Sequence, residues 1–390
     1  MLKRAWASVV ALLLAVVTAV VLAGLVPSAG AATSVVSDTP DSTPSFNGAV
    51  HVVQYHRGVA YLGGEFTLAV QDGITYQRRH LAAVDAATGD LLPWSPRANG
   101  TVRSLRVGTG WTYLGGAFTR VQGASHVGLA RVATASGRVD RTFKPRVPGE
   151  VRALAVFHRT LYAGGTFLRA NGHVRKHLAA FRTRTGALVS SWRPETDGGV
   201  NVIQAAHRRL YVAGGFQHLN GSTRGRNVAP LGPVRGRLQT GYRSTVGYAV
   251  NDIEVTASRI YAAADGPAGH VRSLSLKGAG RWNLTLDGGT RAITLLGGTL
   301  YVGGHFDNAC TTAKPGVRGG CLTGTTTRHK LLAASAGDGT LLAWAPQADS
   351  ASGTFALDST TSPRRVGAGG AWTALGLEQQ FAQSGFAQFR

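Results

Sequence analysis

Several short apolar segments are spaced along the chain, and polar side chains recur at the second residue of these segments. Guanidinium groups bind carboxylate, sulfate or phosphate through paired hydrogen bonds, so such positions could hold an anionic ligand if the fold brings them together. The alternative is a solvated rim around a channel, where polar residues are expected in any case. The seven positions hold His51, Arg103, Arg152, Asn201, Asn251, Arg291 and Phe355, and all but the last are polar.

The recurrence belongs to an internal repeat. The string YLGGEF at 61–66 returns as YLGGAF at 113–118, YAGGTF at 162–167, VAGGF at 212–216 and YVGGHF at 301–306. A degenerate copy has Ala263–Ala264 in place of the glycine pair, and a seventh copy lies at 371–389. The position before the phenylalanine varies, so we interpret the motif as structural. Glu65 therefore does not indicate the active site of a nucleotide cyclase, whose loop needs two adjacent acidic residues.

Repeats of roughly 50 residues with four short strands each are typical of propeller blades. In the unit at 150–199, we expect strands at 151–156, 161–164 and 178–181, then an edge strand ending near Pro194. Residues 43–53 resemble the junction at 191–203, and the last copy stops after its third strand. The sequence therefore predicts an all-β, seven-bladed β-propeller over residues 32–390. Its last blade would be closed by an N-terminal strand at about 35–46.

The pattern V-x-A-L…L-Y-x-G-G-x-F-x-x-x-N-G…L-A-x-x…T-G…W-x-P extends over residues 35–389. It resembles the delta-60-type repeat of secreted actinobacterial proteins. It is also similar to fungal cortical-marker propellers of the Rax type and, more distantly, to kelch and galactose-oxidase-like propellers. The resemblance implies a propeller fold and brings no catalytic residues.

The N-terminal sequence predicts that the protein is exported. Lys3 and Arg4 precede an apolar run at 5–26, followed by the small residues Ala29–Ala31. This is typical of a secretory signal peptide over residues 1–31, with no membrane span remaining after cleavage. The apolar run is long for a signal peptide, so an uncleaved membrane anchor is the alternative. Cys310 and Cys321 are the only cysteines, and an oxidising compartment favours a disulfide between them.

The chain is strongly basic, with 41 Lys and Arg against 19 Asp and Glu and a net charge of +22. Such a charge attracts polyanions, so we expect an anionic cell-wall polymer or a glycan as partner. The alternative is the arginine bias of a GC-rich genome. No interleaved nucleic-acid module is present, so no specific nucleic-acid partner is expected.

Enzymatic alternatives have weaker support. The stretch LAAVDAATGDLLPW at 81–94 resembles the repeat of quinoprotein dehydrogenases, but its Gly–Trp spacing is one residue too long and the sibling repeats lack the Asp. No hydrolase elbow or metal motif occurs, and no cofactor is expected. A pair of carboxylates for a polysaccharide lyase or hydrolase would be a spatial arrangement, and the candidates are Glu65, Glu150, Glu195, Asp252 and Glu254.

The sequence thus predicts a secreted, monomeric, non-catalytic binding protein at the bacterial cell envelope. His51, Arg103, Arg152, Asn201, Asn251 and Arg291 are the candidate ligand-binding residues. The cysteine-bearing insertion at 307–329 is a second candidate for the ligand face, because such loops carry function more often than the scaffold does. Arg120, Arg169 and His218 are expected on the outer surface. An extracellular polysaccharide-acting enzyme and a partner of another envelope protein remain alternatives.

Overall fold

The computed structural model describes residues 35–313, 316 and 319–390. The signal peptide predicted at 1–31 lies outside this part of the chain. Within the described residues, no helix is long and apolar enough to cross a membrane. Short 3-10 turns occur at Thr223–Gly225 and Leu377–Gln379. Residues 35–390 cluster as one compact unit.

Short strands dominate the described residues, as the β-branched, aromatic and glycine-rich sequence predicts. In chain order the first are β1 (Ser45–Phe46), β2 (Val50–His56), β3 (Val59–Gly64), β4 (Leu68–Gln71), β5 (Ile74–Gln77), β6 (Leu81–Asp85), β7 (Val102–Val107), β8 (Trp111–Gly116), β9 (Arg120–Val121), β10 (Ala124–Ser125), β11 (Leu129–Ala133), β12 (Val151–Phe157), β13 (Thr160–Gly165), β14 (Arg169–Ala170), β15 (His173–Val174) and β16 (Leu178–Arg182). They continue as β17 (Val200–Ala206), β18 (Arg209–Gly214), β19 (Val228–Leu231), β20 (Val250–Val255), β21 (Arg259–Ala264), β22 (Gly269–Ser275), β23 (Gly280–Leu286), β24 (Thr290–Leu296), β25 (Thr299–Gly304), β26 (Asn308–Cys310), β27 (Thr325–Thr327), β28 (Leu331–Ser335), β29 (Thr354–Thr361), β30 (Arg364–Gly370) and β31 (Phe386–Phe389).

One antiparallel unit recurs along the described chain: an inner strand, a middle strand ending at or near the glycine pair, and a third strand. We number the repeats 1 to 7 by their inner strands. The units are β2-β3-β6, β7-β8-β11, β12-β13-β16, β17-β18-β19, β20-β21-β22, β24-β25-β28 and β29-β30-β31. Each inner strand carries a bulge at its second residue, as between Val50 and Val52. The bulge displaces that residue from the ladder, and it is the position singled out in the sequence.

The inner strands follow one another in space in chain order, because β2 packs against β7, β7 against β12, and so on to β24 against β29. β29 also packs against β2. Apolar clusters fill the space between successive sheets; one of them joins Tyr61 and Leu81 of repeat 1 to Val102 and Leu114 of repeat 2. The core is therefore a series of sheet-to-sheet contacts.

The glycine pair permits these close contacts. A Cβ on Gly64 would lie 2.1 Å from the carbonyl oxygen of Ala49, and one on Gly63 would lie 2.8 Å from Cγ1 of Val102 in the next repeat. Neither position has space for a side chain. In repeat 4 the register pairs Val200 with Gly214, so Ala213 and Gly214 occupy the places of Gly63 and Gly64. The visible Gly214–Gly215 pair is thus displaced by one residue from its siblings.

The fourth strand differs from the prediction. It is regular only in repeat 5, as β23, while in five other repeats a single bridge replaces it: Val84–Leu91, Val132–Val139, Phe181–Leu188, Leu231–Leu238 and Ala334–Leu341. The segment instead contributes a buried aromatic, such as Trp192 against Tyr162 at 4.9 Å. Pro194, two residues after Trp192, lacks the N–H that a longer ladder would need.

The N-terminal segment contacts the last sheet. The backbone N–H groups of Ser37 and Asp41 donate to the carbonyl oxygens of Arg390 and Gln388, at 2.6 and 2.8 Å. Regular strand within the predicted range 35–46 is confined to Ser45–Phe46, and this strand pairs with β4 in repeat 1. The same kind of pairing, between a strand that belongs to one repeat and the outer hairpin of the next, recurs where Leu286 of β23 pairs with Ala309 of β26.

Candidate functional site at the mouth cavity

The seven bulged positions come together around one cavity of about 620 Å³, which we call the mouth cavity. Its lining includes His51, Arg103, Arg152, Asn201, Asn251, Arg291 and Phe355. Because each bulge turns its side chain away from the ladder, equivalent residues of successive inner strands converge. The structure therefore brings the seven residues singled out in the sequence to one cavity.

Two of the three arginines are paired with carboxylates. Nε of Arg103 donates to Oε1 of Glu150 at 2.9 Å, and its Nη2 lies 3.3 Å from Glu65. Nε of Arg152 donates to the other Glu150 oxygen at 2.6 Å. His51 contacts Glu65 through Nε2 at 2.9 Å. This side of the mouth cavity is a charge-balanced network.

The network continues as a chain of amides. Arg152 donates to Oδ1 of Asn201 at 3.3 Å, and Nδ2 of Asn201 donates to the carbonyl oxygen of Val250 at 3.0 Å. Nδ2 of Asn251 in turn donates to the carbonyl oxygen of Thr290 at 2.8 Å. These bonds fix the orientations of two amides at the cavity wall.

Arg291 is different from the other arginines. Its guanidinium carbon lies 5.0 Å from the ring centroid of Phe355, a cation–π geometry. Among the described residues it forms no ion pair with a carboxylate. Of the three arginines that line the mouth cavity, Arg291 is therefore the one without a carboxylate partner in the described part of the chain.

Three further residues line the mouth, or bond to its lining, from the variable position of the repeat motif. Glu65 binds His51 and Arg103, and Asp265 and His305 lie on the cavity wall. Nδ1 of His305 accepts a hydrogen bond from the N–H of Gly289 at 3.0 Å, so the proton of a neutral ring is on Nε2. Of these three residues the sequence indicated only Glu65, as a candidate carboxylate, and the position itself was interpreted as structural because it varies. Variation at one position within an otherwise constant motif was the signal that could have found it.

The pKa values of Glu150 and His51, two of the titratable groups on the wall, are both lowered, for different physical reasons. Although burial opposes it, the hydrogen bonds and charges of Arg152 and Arg103 hold the pKa of Glu150 below its usual value. Burial and the charge of Arg103 lower the pKa of His51. Near neutral pH, Glu150 is therefore ionised and His51 is neutral.

An inner cavity of about 240 Å³ lies against the mouth cavity and shares several of its residues. Asp252 lines it, and burial raises the pKa of this carboxyl to about 8. On the same inner strands, burial raises the pKa of Glu254 to about 7 and that of Asp358 to about 6. Among the described residues no cluster of His, Cys, Asp and Glu has a geometry suited to a metal ion.

The other candidate residues lie away from the mouth cavity. Arg120 and Arg169 donate to the carbonyl oxygens of Gly123 and Gly172 in the outer hairpins, and His218 pairs with Asp197 at 2.6 Å. In the insertion at 307–329, β26 and β27 extend the sheet of repeat 5, and no described residue of this insertion lines the mouth cavity. The predicted disulfide between Cys310 and Cys321 is present.

Comparison with known proteins supports the fold alone. No protein-family model matches the chain, and no curated protein is significantly similar to it in sequence. Similar solved structures include the computationally designed Ika8 protein (TM-score 0.52, 12% identity, covering 90% of this chain and 99% of that one). The WD40 domain of Neurospora crassa Pan2 (0.51, 11%, 88% and 89%) and the WD40 β-propeller domain of Doa1 (0.51, 11%, 90% and 96%) are also similar. The chain therefore has an all-β propeller fold.

Proposed function

We propose that this protein is a secreted, non-catalytic binding propeller of the bacterial cell envelope, and that the mouth cavity binds a glycan bearing an anionic group. The observation that carries the proposal is the composition of the wall. Fixed amides and paired carboxylates suit sugar hydroxyl groups, and Arg291, the one ring arginine without a carboxylate partner among the described residues, suits a carboxylate, sulfate or phosphate.

We also propose the finer architecture: seven blades of the delta-60 type, with the last blade completed by residues 35–46. The order of inner strands, ending with β29 against β2, supports this count. The hydrogen bonds from Asp41 to Gln388 in β31 and from Ser37 to Arg390, directly after β31, support the closure. A ring closed in this way would hold the seven bulged residues at fixed mutual distances.

Glu150 itself is not arranged as the acid of a glycosidase. A glycosidase acid needs a raised pKa so that it carries a proton near neutral pH. The lowered pKa of Glu150 and its two arginine partners are the opposite arrangement. They support Glu150 as a hydrogen-bond acceptor for a ligand and an anchor for Arg103 and Arg152.

The proposal is tested by titrating the protein with an anionic cell-wall polysaccharide and with its chemically neutralised form. Arg291→Gln removes one cation without disturbing a carboxylate, so the fold should be unaffected. We expect binding of the anionic form to weaken by about tenfold, the loss typical of one charge-assisted contact. Arg237→Gln, an exposed arginine in repeat 4, is the matched control. Equal affinities of both variants and the unchanged protein would refute the assignment.

A further inference from the structure

Repeat 2 departs from its siblings at linked positions far from the mouth cavity. Arg131 in β11 pairs with Tyr113, where the equivalent third strands of repeats 1, 3 and 6 carry Ala83, Ala180 and Ala333. The middle strand begins with Trp111, where those of repeats 1 and 3 begin with Val59 and Thr160. The sibling repeats serve as internal references, since the same backbone is built there without these residues.

The substituted residues pack together with Asp140 and Phe143. Nε and Nη2 of Arg131 lie 2.7 and 2.5 Å from Oδ2 of Asp140, and both side chains are over 90% buried. The guanidinium lies between two rings, 4.3 Å from the centroid of Trp111 and 4.8 Å from that of Phe143. It also donates to backbone carbonyl groups of Thr183 and Arg184 in repeat 3. Each part of the guanidinium is thus in contact with protein.

A buried ion pair is weak evidence for a role in stability. Burying an ion pair costs desolvation that an alanine in the same place avoids, and well-packed apolar replacements are often at least as stable. What Arg131 does is hold one face of Trp111, while 38% of that tryptophan remains exposed. A supported aromatic ring at the surface is a typical platform for a flat or cyclic ligand.

The exposed part of Trp111 lies in a cavity of about 590 Å³. Arg138 and Arg141 also line it, and both are exposed. Among the described residues, neither guanidinium forms an ion pair or a hydrogen bond. Because Arg131 and Asp140 neutralise each other, these two arginines give the cavity its positive charge.

We propose that this cavity is a second binding site, specific for an anionic sugar residue, a pyranose carrying a carboxylate or a sulfate group. The apolar face of the pyranose ring would stack on the indole of Trp111, and Arg138 and Arg141 would bind the anionic group of the sugar. Arg131 beneath the indole reduces the negative potential of the aromatic face, which disfavours cationic ligands. The site lies at the opposite end of β8 from Gly115 and Gly116, roughly 17 Å along the strand, and does not depend on the function proposed for the mouth cavity.

The test uses calorimetric titration with tetragalacturonate and with a heparin tetrasaccharide, and maltotetraose as the neutral probe. Titrations are made in the Arg291→Gln background, so that the mouth cavity contributes little. We expect at least one anionic probe to bind and the neutral probe not to bind. The double variant Arg138→Gln, Arg141→Gln should weaken binding by about tenfold or more and should not touch the buried Arg131–Asp140 pair.

The matched control is Arg235→Gln with Arg237→Gln, which removes two exposed charges beside the equivalent turn of repeat 4. Trp111→Phe keeps a ring over Arg131 and should weaken binding less than Arg138→Gln, Arg141→Gln does. Absence of binding to both anionic probes at millimolar concentration would overturn the proposal. So would equal binding of maltotetraose, or an equal loss of affinity in the control variant. Binding of one anionic probe but not the other identifies carboxylate or sulfate as the preferred group and supports the site.

Discussion

Oδ2 of Asp358 in repeat 7 accepts a hydrogen bond from the backbone N–H of Tyr55 in repeat 1, at 2.7 Å and across 303 positions of the chain. The same relationship joins neighbouring repeats elsewhere. Oε1 of Gln54 accepts from the N–H of Val107 at 2.6 Å, and Oε1 of Gln204 accepts from that of Val255 at 2.8 Å. A side chain on one inner strand therefore satisfies a backbone group of the next, and Asp358 does so between the last repeat and the first.

Loss of the Asp358 acceptor should destabilise the whole fold. In Asp358→Ala the N–H of Tyr55 has no partner in a half-buried position, which costs about 1–3 kcal/mol of the free energy of unfolding. Asp358→Asn keeps an acceptor oxygen and should cost less. Urea denaturation at pH 4.5 measures both, because Asp358, whose pKa burial raises to about 6, is then uncharged in the folded protein. Asp72→Asn, on an exposed turn, is the control because Asn tolerates the positive φ of 52° at this position. An Asp358→Ala variant as stable as the control would contradict this role.

The pH dependence of stability should respond to Glu254. Burial raises its pKa from an ordinary 4.5 to about 7 in the folded protein. A carboxyl of this kind contributes its full stability below about pH 4.5 and loses it progressively as the pH rises to about 7. The amide introduced by Glu254→Gln does not titrate, and its oxygen can still accept from Nε2 of Gln204, which lies 3.1 Å from Oε1 of Glu254.

We therefore expect Glu254→Gln to gain stability relative to the unchanged protein between pH 4.5 and 7, by about 1–3 kcal/mol, and to keep a constant difference above pH 8. Denaturation at pH 4.5, 6, 7 and 8.5 measures the difference. Groups that do not interact with Glu254 titrate equally in both proteins and cancel, whereas the pKa of Asp252, which the charge of Glu254 helps to raise, should be lower in Glu254→Gln. A difference independent of pH, or one that decreases as the pH rises, would contradict the raised pKa.

The glycine pair can be tested against a glycine in open space. A Cβ on Gly116 would lie 2.1 Å from the carbonyl oxygen of Thr101, whereas one on Gly110 would have no atom within 4 Å. Gly116→Ala should reduce the free energy of unfolding by about 2 kcal/mol or more, and Gly110→Ala should have little effect. Thermal denaturation compares them. Equal stability of the two variants would show that the sheets can separate to accept a methyl group.

The disulfide should stabilise the insertion of repeat 6. Cys310 and Cys321 are 11 positions apart, so the bond closes a short loop beside β26. Replacing both by serine should cost at most ~2–3 kcal/mol of global stability, and hydrogen exchange should accelerate mainly in β26 and β27. Acceleration spread evenly over all the sheets would contradict a local role.

The sequence was informative about the fold because the same pattern of apolar residues and glycines recurs along the chain. The alternation of apolar residues and the glycine pair located the first three strands of the unit at 150–199 to within about one residue of those observed. The fourth strand was overestimated. Its aromatic residue is required for packing, and a buried aromatic such as Trp192 does not need a ladder of backbone hydrogen bonds.

The site was predictable in position and less so in chemistry. The register of the repeats was enough to predict that Arg103 and Arg152 lie on one wall. Their ion pairs with Glu150 also depend on the directions in which the three side chains point, which the register does not specify. Glu65 reaches the same network from the end of β3, a contact between repeats that no local pattern contains. Arg131 was not recognised, because an arginine in a strand gives no sign that it lies between two rings.

Binding at the mouth cavity is tested by the retention of the protein on purified bacterial cell-wall polymer over a salt series. Arg138 and Arg141 are replaced by Gln throughout so that the second cavity contributes little, and Arg291→Gln and the control Arg237→Gln are compared with this parent protein. We predict that the parent protein and the control stay bound from about 50 to 500 mM salt, while Arg291→Gln elutes early, because a shaped site is screened less than a diffuse surface charge. Co-elution of all three at low salt would mean that the net charge alone attaches the protein, and it would contradict a binding site at the mouth cavity.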